Sequence, residues 1–254
     1  MANTTPYVDY SWRPEEAAAG WGAGLAGARP EDVLVQSLAR IPGRVAFATG
    51  FGVEGCVLID LISRMGLRVE FFTLDTGFFF PETLALWGTL ERRYGCVIRG
   101  ERPELTVAEQ AERHGPALYD RDPDLCCHLR KVLPLARALR PYAAWVTAIR
   151  RDQSPDRAGA QEVEVDGKHG LLKVNPLVGW SSDDVWDYVR AHDVPHNPLH
   201  HEGYPSIGCA PCTTPVAPGE DPRAGRWRGR DKTECGIHPS HPVVRLSVLP
   251  GGRS

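Results

Sequence analysis

The sequence predicts an α/β fold: a mostly parallel, twisted sheet with helices on both faces, followed by an irregular C-terminal tail. Three observations carry this expectation. Between about residues 30 and 192, short apolar stretches alternate with longer segments of helical pattern. That alternation is what parallel strands joined by crossover helices require. At 254 residues and 42% hydrophobic content, the chain is long enough to bury the core of such a sheet. Beyond residue 195 the alternation gives way to proline, glycine and histidine, so the last segment is expected to be irregular.

Residues 1–30, rich in Gly, Ala and Pro, read as an irregular N-terminal extension. A helix is expected over 31–40 and an apolar strand over 44–49. The next helix spans 53–64, and Arg-Val-Glu-Phe-Phe-Thr-Leu makes residues 68–74 a second strand. Pro81 sits where a first-turn proline is tolerated and opens a helix to about residue 94. A third strand follows at 96–99, then helices at 106–114 and 126–139, and a fourth strand at 143–149. Residues 172–174 supply a fifth strand. Ser181 followed by Ser-Asp-Asp is a helix start, continuing to about residue 192. The chain thus divides into the extension 1–30, an α/β domain 31–212 and a mobile C-terminal segment 213–254.

The formal net charge of -3 gives no global attraction to nucleic acid, so any anion site must be local. No apolar run approaches the roughly 20 residues of a membrane helix. The first 16 residues carry acids and prolines where a secretion signal would be basic and then apolar. A cytoplasmic protein is expected, with no nucleic-acid or membrane partner; a homo-oligomer remains compatible with the sequence.

The seven cysteines separate into groups. Cys56 and Cys96 lie in apolar surroundings and are expected to be buried packing residues. Cys126 and Cys127 are adjacent, and Cys209-Ala-Pro-Cys212 is a C-x-x-C on a Gly/Pro-rich stretch. Four thiolates can close the coordination of a zinc ion or of a [4Fe-4S] cluster. Adjacent cysteines fit one zinc ion poorly, whereas a cubane offers each sulfur a separate iron. A redox C-x-x-C beside an unrelated thiol pair is the remaining alternative. Cys235 stands alone between Glu234 and Gly236, where a thiol is accessible and can be reactive.

One motif misleads. Gly50-Phe-Gly52-Val-Glu-Gly55 follows a strand, opens a helix and has Asp75 downstream, as a dinucleotide fingerprint would. A nicotinamide enzyme would leave the clustered cysteines and the basic stretch before Cys235 unused. Exposed amides at a helix start bind any phosphate or sulfate, so the anion site is kept and the nicotinamide dropped.

Taken together, the motifs resemble the thioredoxin-dependent adenylyl-sulfate (APS) reductases of bacterial sulfate assimilation. The matching stretches are Thr49-Gly-Phe-Gly-Val-Glu-Gly55, Leu74-Asp-Thr-Gly77, Phe80-Pro-Glu-Thr83, Cys126-Cys-His-Leu-Arg-Lys131 and Arg150-Arg-Asp-Gln-Ser-Pro155. They continue through Lys173-Val-Asn-Pro-Leu177, Asn197-Pro-Leu199, the run from Gly203 to Cys212, Gly225-Arg-Trp227 and Glu234-Cys-Gly-Ile-His238. The resemblance covers about residues 31–240 and implies an adenine nucleotide alpha hydrolase-like fold. It also implies one [4Fe-4S] cluster held by Cys126, Cys127, Cys209 and Cys212, and Cys235 as the nucleophile that forms an S-sulfocysteine. Substrate binding falls by the same resemblance to Gly52, Glu54, Asp75, Thr76, Gly77, Lys131, Arg157, Arg223 and Arg226. The substrate implied is APS and the reductant thioredoxin or a glutaredoxin-like protein. In this chain Gly50 stands where the family usually has serine, and Ala148 where glycine is common. His238 is either a solvated tail histidine or a group that tunes the Cys235 thiol. Reductases of 3'-phosphorylated APS (PAPS) usually lack the two cysteine pairs, so those pairs favour APS; a PAPS reductase, dual specificity and a non-catalytic iron-sulfur or zinc nucleotide sensor are the rivals.

Overall fold

The structure is a computed structural model and describes residues 12–238. Its first helix, α1 (Pro14–Leu25), corrects the expected irregular extension. Pro14 and two glutamates at its start favour helix initiation, and the Gly/Ala-rich stretch hides an inward face: Ala17 and Leu25 join the main core. Residues 1–11 of that extension and residues 239–254 of the expected tail lie outside the described residues.

The chain then runs through α2 (Pro30–Leu38), β1 (Val45–Thr49), α3 (Val53–Arg64), β2 (Glu70–Leu74), α4 (Pro81–Tyr94) and β3 (Ile98–Glu101). Three short helices follow: α5 (Val107–His114), α6 (Leu118–Arg121) and α7 (Pro123–Cys127). The single helix expected over 126–139 is interrupted, because residues His128–Val132 form a turn of π-helix before α8 (Leu133–Leu139). Such a turn inserts one residue into the helical spacing and is frequent at functional sites. β4 (Ala144–Val146) is shorter than expected, and an unexpected strand, β5 (Val163–Asp166), precedes β6 (Leu171–Val174) and α9 (Ser182–His192).

The six strands are ordered β3-β2-β1-β4-β6-β5. All neighbours are parallel except β5, which pairs antiparallel with β6. Alternate strand residues point to opposite faces. Phe47, Phe71, Ile98, Val146 and Val174 face a core closed by α1 to α4 and α9, while Ala46, Phe72 and Trp145 meet Leu135 and Leu139 of α8 on the other side. Helices therefore cover both faces, as expected. The chain leaves β1 toward β2 and β3 on one side and returns through β4 to β6 on the other. The crevice above the carboxyl ends of β1 and β4 is the topological switch point, where such sheets bind ligands. No helix among the described residues is long and apolar enough to cross a membrane.

Candidate active site

The loop after β1 is shaped by its own backbone. Thr49 Oγ1 accepts a hydrogen bond from the Phe51 amide at 3.0 Å, and Phe51 adopts a left-handed φ of 59° with its ring buried against Phe79 and Trp87. Gly52 is the N-cap of α3 and supplies no side chain, leaving first-turn amides for an anion. Gly55 is obligatory, since a Cβ there would sit 2.8 Å from Thr49 Oγ1. Gly50 faces open space, so the missing serine removes a hydroxyl and no packing. Ala148 packs partly buried against the main core. Glu54 does not point free into the crevice: its Oε1 accepts from Arg150 Nε at 3.0 Å and Gln153 Nε2 at 2.9 Å.

At the end of β2, Asp75 accepts hydrogen bonds from the Gly77 amide (3.2 Å) and Arg102 Nε (3.0 Å). Gly77 has a φ of 72°, and Arg130 donates to the Thr76 carbonyl beside it. The Thr76 hydroxyl lies 3.4 Å from Cys209 Sγ. Thr76 thus turns toward a cysteine, a contact its motif did not foretell.

The two cysteine pairs, 83 residues apart in the chain (126 to 209), line one pocket with Phe78, Tyr119, Arg130, Lys131 and Trp227. All are free thiols, and Cys126, Cys127 and Cys209 are buried. The π-turn follows Cys127 directly and carries Lys131. Burial pulls the Lys131 pKa down, but charge on Cys209, Cys235 and Cys127 outweighs this and holds the ammonium above the ordinary lysine range. Burial pushes the Cys127 thiol up to about 12 and raises Cys126 and Cys212 as well. Burial also opposes ionisation of Cys209, yet Lys131, the Thr76 hydroxyl and Arg226 bring it below its ordinary value. Among the described residues, no three His, Cys, Asp or Glu are gathered closely enough to hold one metal ion. A cubane is larger than one ion and soft thiolates are its usual ligands, so four cysteine thiols around one pocket fit a [4Fe-4S] group. Of the two cysteines expected to be packing residues, Cys56 is fully buried, with its thiol pushed upward, whereas Cys96 is only partly buried.

The tail brings its cations and its thiol to the same place. Arg157 donates to both carboxylate oxygens of Glu234, at 2.8 and 3.0 Å, and also bonds Gln153. Arg223 approaches the same carboxylate at 3.5 Å and donates to the Thr233 carbonyl at 2.6 Å. Arg226 has no such partner. Its guanidinium lies 4.6 Å from the Trp227 ring and bonds Ser206 at 3.3 Å, while its buried Nε has no hydrogen-bond partner. Gly208 makes room for it, since a Cβ there would stand 2.5 Å from its Cζ. Cys235 lines an open cleft with His128, Val132, Lys168 and Lys232, close enough to Lys131 and Cys127 for their charges to interact.

Sequence reasoning missed Glu234 as the carboxylate that two of the arginines share. It also missed Gln110, whose amide points to Cys126 Sγ at 3.9 Å, and Trp227, which closes the thiol pocket and lies 5.3 Å from Lys232 Nζ. Glu234 was inside a quoted motif; Gln110 carried no signal at all. His238 is half-buried rather than a solvated tail residue: its ring stacks on Trp145 at 5.6 Å and 12°, and desolvation beside Lys173, Arg157 and Arg223 holds its pKa well below the ordinary value.

Residues 44–215 match the family model described as the phosphoadenosine phosphosulfate reductase domain. The chain is 46% identical over 212 residues to a phosphoadenosine 5'-phosphosulfate reductase of Gloeobacter violaceus, covering 82% of this chain and 88% of that protein. It is also 46% identical over 208 residues to adenosine 5'-phosphosulfate reductase 2 of Bacillus subtilis, with the same coverages. Among solved structures, a PAPS reductase of Candida auris in a phosphate complex has a TM-score of 0.70 and 28% identity, covering 83% of this chain and 99% of that one. Yeast FAD synthetase (TM-score 0.52, 16% identity, 82% and 70% covered) shares the fold alone.

Proposed function

This chain belongs to the phosphoadenosine phosphosulfate reductase family, and from that premise we propose that it reduces APS to sulfite and AMP in sulfate assimilation. The observation that carries the reading is that Cys235 lies close enough to Lys131 and Cys127 of the four-thiol pocket for their charges to interact, while Arg157 and Arg223 hold the carboxylate of the adjoining Glu234.

Substrate enters the switch-point crevice with its phosphosulfate toward the α3 amides at Gly52 and the cations Lys131, Arg157, Arg223 and Arg226. Guanidinium forks suit oxyanions bidentately, while Lys131 acts as a point charge. Glu54 acts at one remove, by holding Arg150 and Gln153 in place. Asp75, Thr76 and Gly77 form the opposite lip.

Cys235, as thiolate, attacks the sulfate sulfur. An S–S bond forms, the S–O bond to the AMP phosphate breaks, and AMP leaves with that electron pair. A thiolate of reduced thioredoxin, or of a glutaredoxin-like protein, then attacks Cys235 Sγ and expels sulfite. The second thiol of the reductant closes its disulfide, so the two electrons come from the dithiol and Cys235 returns as a thiol. For that step the part of the tail around Cys235 moves to admit a protein-sized partner. Cys126, Cys127, Cys209 and Cys212 would hold a [4Fe-4S] cluster, which supplies fixed charge and ordering next to Lys131. The 31–212 unit thus binds nucleotide and cluster while the tail delivers the nucleophile together with Arg223 and Arg226.

A second reading, turnover of the 3'-phosphorylated substrate PAPS, is supported by the names of the Gloeobacter relative and the Candida auris structure. Sulfite release from APS and PAPS in parallel, on anaerobically purified protein with reduced thioredoxin, separates the two. A kcat/KM for APS well above that for PAPS supports this proposal; preference for PAPS replaces it, and sulfite from neither removes both.

A further inference from the structure

The segment carrying Cys235 is anchored on both sides, and the two anchors differ in kind. On one side Glu234 is held by Arg157 and Arg223. Those are the cations the substrate anion must take, so this ion pairing is surrendered when substrate binds, leaving on that side the bond from Thr233 Oγ1 to Asp156 at 2.9 Å. On the other side no hydrogen bond or ion pair is made with the substrate cations, although Arg157 and Arg223 lie near enough to His238 for their charges to act on it. Lys168 Nζ donates to the Gly236 carbonyl at 3.0 Å, and Ile237 packs on the core layer formed by α8 and Trp145. His238 stacks on Trp145, the middle residue of β4.

The surface that receives these residues is itself built. Trp145 Nε1 donates to Asp166 Oδ2 at 3.1 Å, which fixes the indole plane. Asp166, a buried carboxylate at the end of β5, also accepts from the Lys168 amide (3.1 Å) and the His169 amide (3.2 Å), and bonds His169 Nδ1 at 2.8 Å. One carboxylate therefore orients the ring under His238 and the turn that presents Lys168. Gly236 makes the bend between thiol and seat: its φ is 80°, and Val132 lies 3.5 Å from where a Cβ would be. Nδ1 of His238 is buried without a hydrogen-bond partner, so stacking and burial hold the ring rather than a bond at that nitrogen.

We propose that Trp145 and the β5–β6 turn (Asp166, Lys168, His169) form a seat for Gly236, Ile237 and His238, and that these are positioning residues that keep Cys235 at the thiol pocket while the substrate displaces Glu234 from the arginines. The proposal rests on the reading of Cys235 as nucleophile, but the seat itself is measurable without it.

The test uses cluster-loaded protein with His238→Ala, Lys168→Met and the ring-retaining His238→Phe. Two quantities are followed by peptide mass spectrometry: alkylation of Cys235 by iodoacetamide without substrate, and single-turnover adduct formation on Cys235 with APS and no reductant. Undocking should speed alkylation and slow adduct formation in His238→Ala, each by about tenfold or more, as misplacement of a reacting group does. Lys168→Met should shift both in the same direction by less. His238→Phe should recover most of what alanine loses. Buried Cys56 should stay unlabelled throughout, which separates undocking from unfolding. Alkylation rates within twofold of the parent in both His238→Ala and Lys168→Met would overturn the seat. So would a His238→Phe variant as defective as His238→Ala, because the ring would then act through its nitrogen. If the parent protein alkylates slowly yet forms no adduct on Cys235, the nucleophile assignment fails and the alkylation series still decides the seat.

Discussion

Arg226 and Arg223 are both expected to bind the substrate anion, yet the structure separates their contributions. Arg223 lies against the Glu234 carboxylate at 3.5 Å, which Arg157 also holds through two bonds. When the phosphosulfate arrives, these two guanidinium groups exchange one anion for another. Arg226 faces no carboxylate among the described residues, and its buried Nε has no hydrogen-bond partner. The substrate there makes a new charge-assisted bond rather than replacing an old one. A charged hydrogen bond is worth about 1.5–3 kcal/mol, so Arg226→Ala should lower kcat/KM for APS by about 10- to 150-fold. For Arg223→Ala the exchange leaves a net of about 0.5–1.5 kcal/mol, a loss of roughly 2- to 10-fold. The assay is initial-rate sulfite release at subsaturating APS with excess reduced thioredoxin. Absorbance of the bound cluster, recorded on the same samples, shows whether removing the guanidinium from over Gly208 and Trp227 has disturbed the pocket. Unchanged kinetics in both variants would return the stretch to a solvated loop. A larger loss for Arg223→Ala than for Arg226→Ala would refute the exchange argument while leaving both residues as ligands.

Two further outcomes are expected. Anaerobically purified protein should be brown, with about four irons and four sulfides per chain; active protein with stoichiometric zinc and no sulfide would contradict the assignment of Cys126, Cys127, Cys209 and Cys212. Gly77→Ala should lower stability by about 1–2 kcal/mol, or roughly 2–8 °C in Tm by thermal denaturation, because a left-handed φ of 72° is imposed on a residue whose Cβ would meet Val107 at 3.0 Å and Arg130 at 3.2 Å. An unchanged Tm would show that this turn relaxes.

What could be read in advance followed local chemistry. The strand and helix alternation from residue 30 onward was legible because parallel strands are continuous apolar runs, as Val45–Thr49 is. β5 was illegible for the opposite reason. Its Glu164 and Asp166 are acids that look solvated in sequence, yet they are buried against Lys173 and His169. The first helix hid in a composition of Gly and Ala that favours no single element. The π-turn after Cys127 could not be seen, since its residues suit an ordinary helix and only the surrounding pocket asks for the extra residue. At the site, cysteines and arginines announced themselves by spacing and motif. Their partners did not, because pairing of Glu234 with Arg157 spans 77 residues and stacking of His238 on Trp145 spans more. Thr76 was expected at the substrate and sits against Cys209, because a loop motif names a position and not the direction of its side chain.

The central claim is that Cys235 is the nucleophile, and covalent trapping tests it most directly. Protein incubated with APS and no reductant should gain one SO₃ group, about 80 Da if the covalent step holds, on the peptide containing Cys235. Cys235→Ser should keep its cluster and bind APS, yet form no adduct and release no sulfite, because a hydroxyl is a far weaker nucleophile than a thiolate. An adduct on Cys56 or Cys96 instead, or sulfite released by Cys235→Ser, would contradict the assignment.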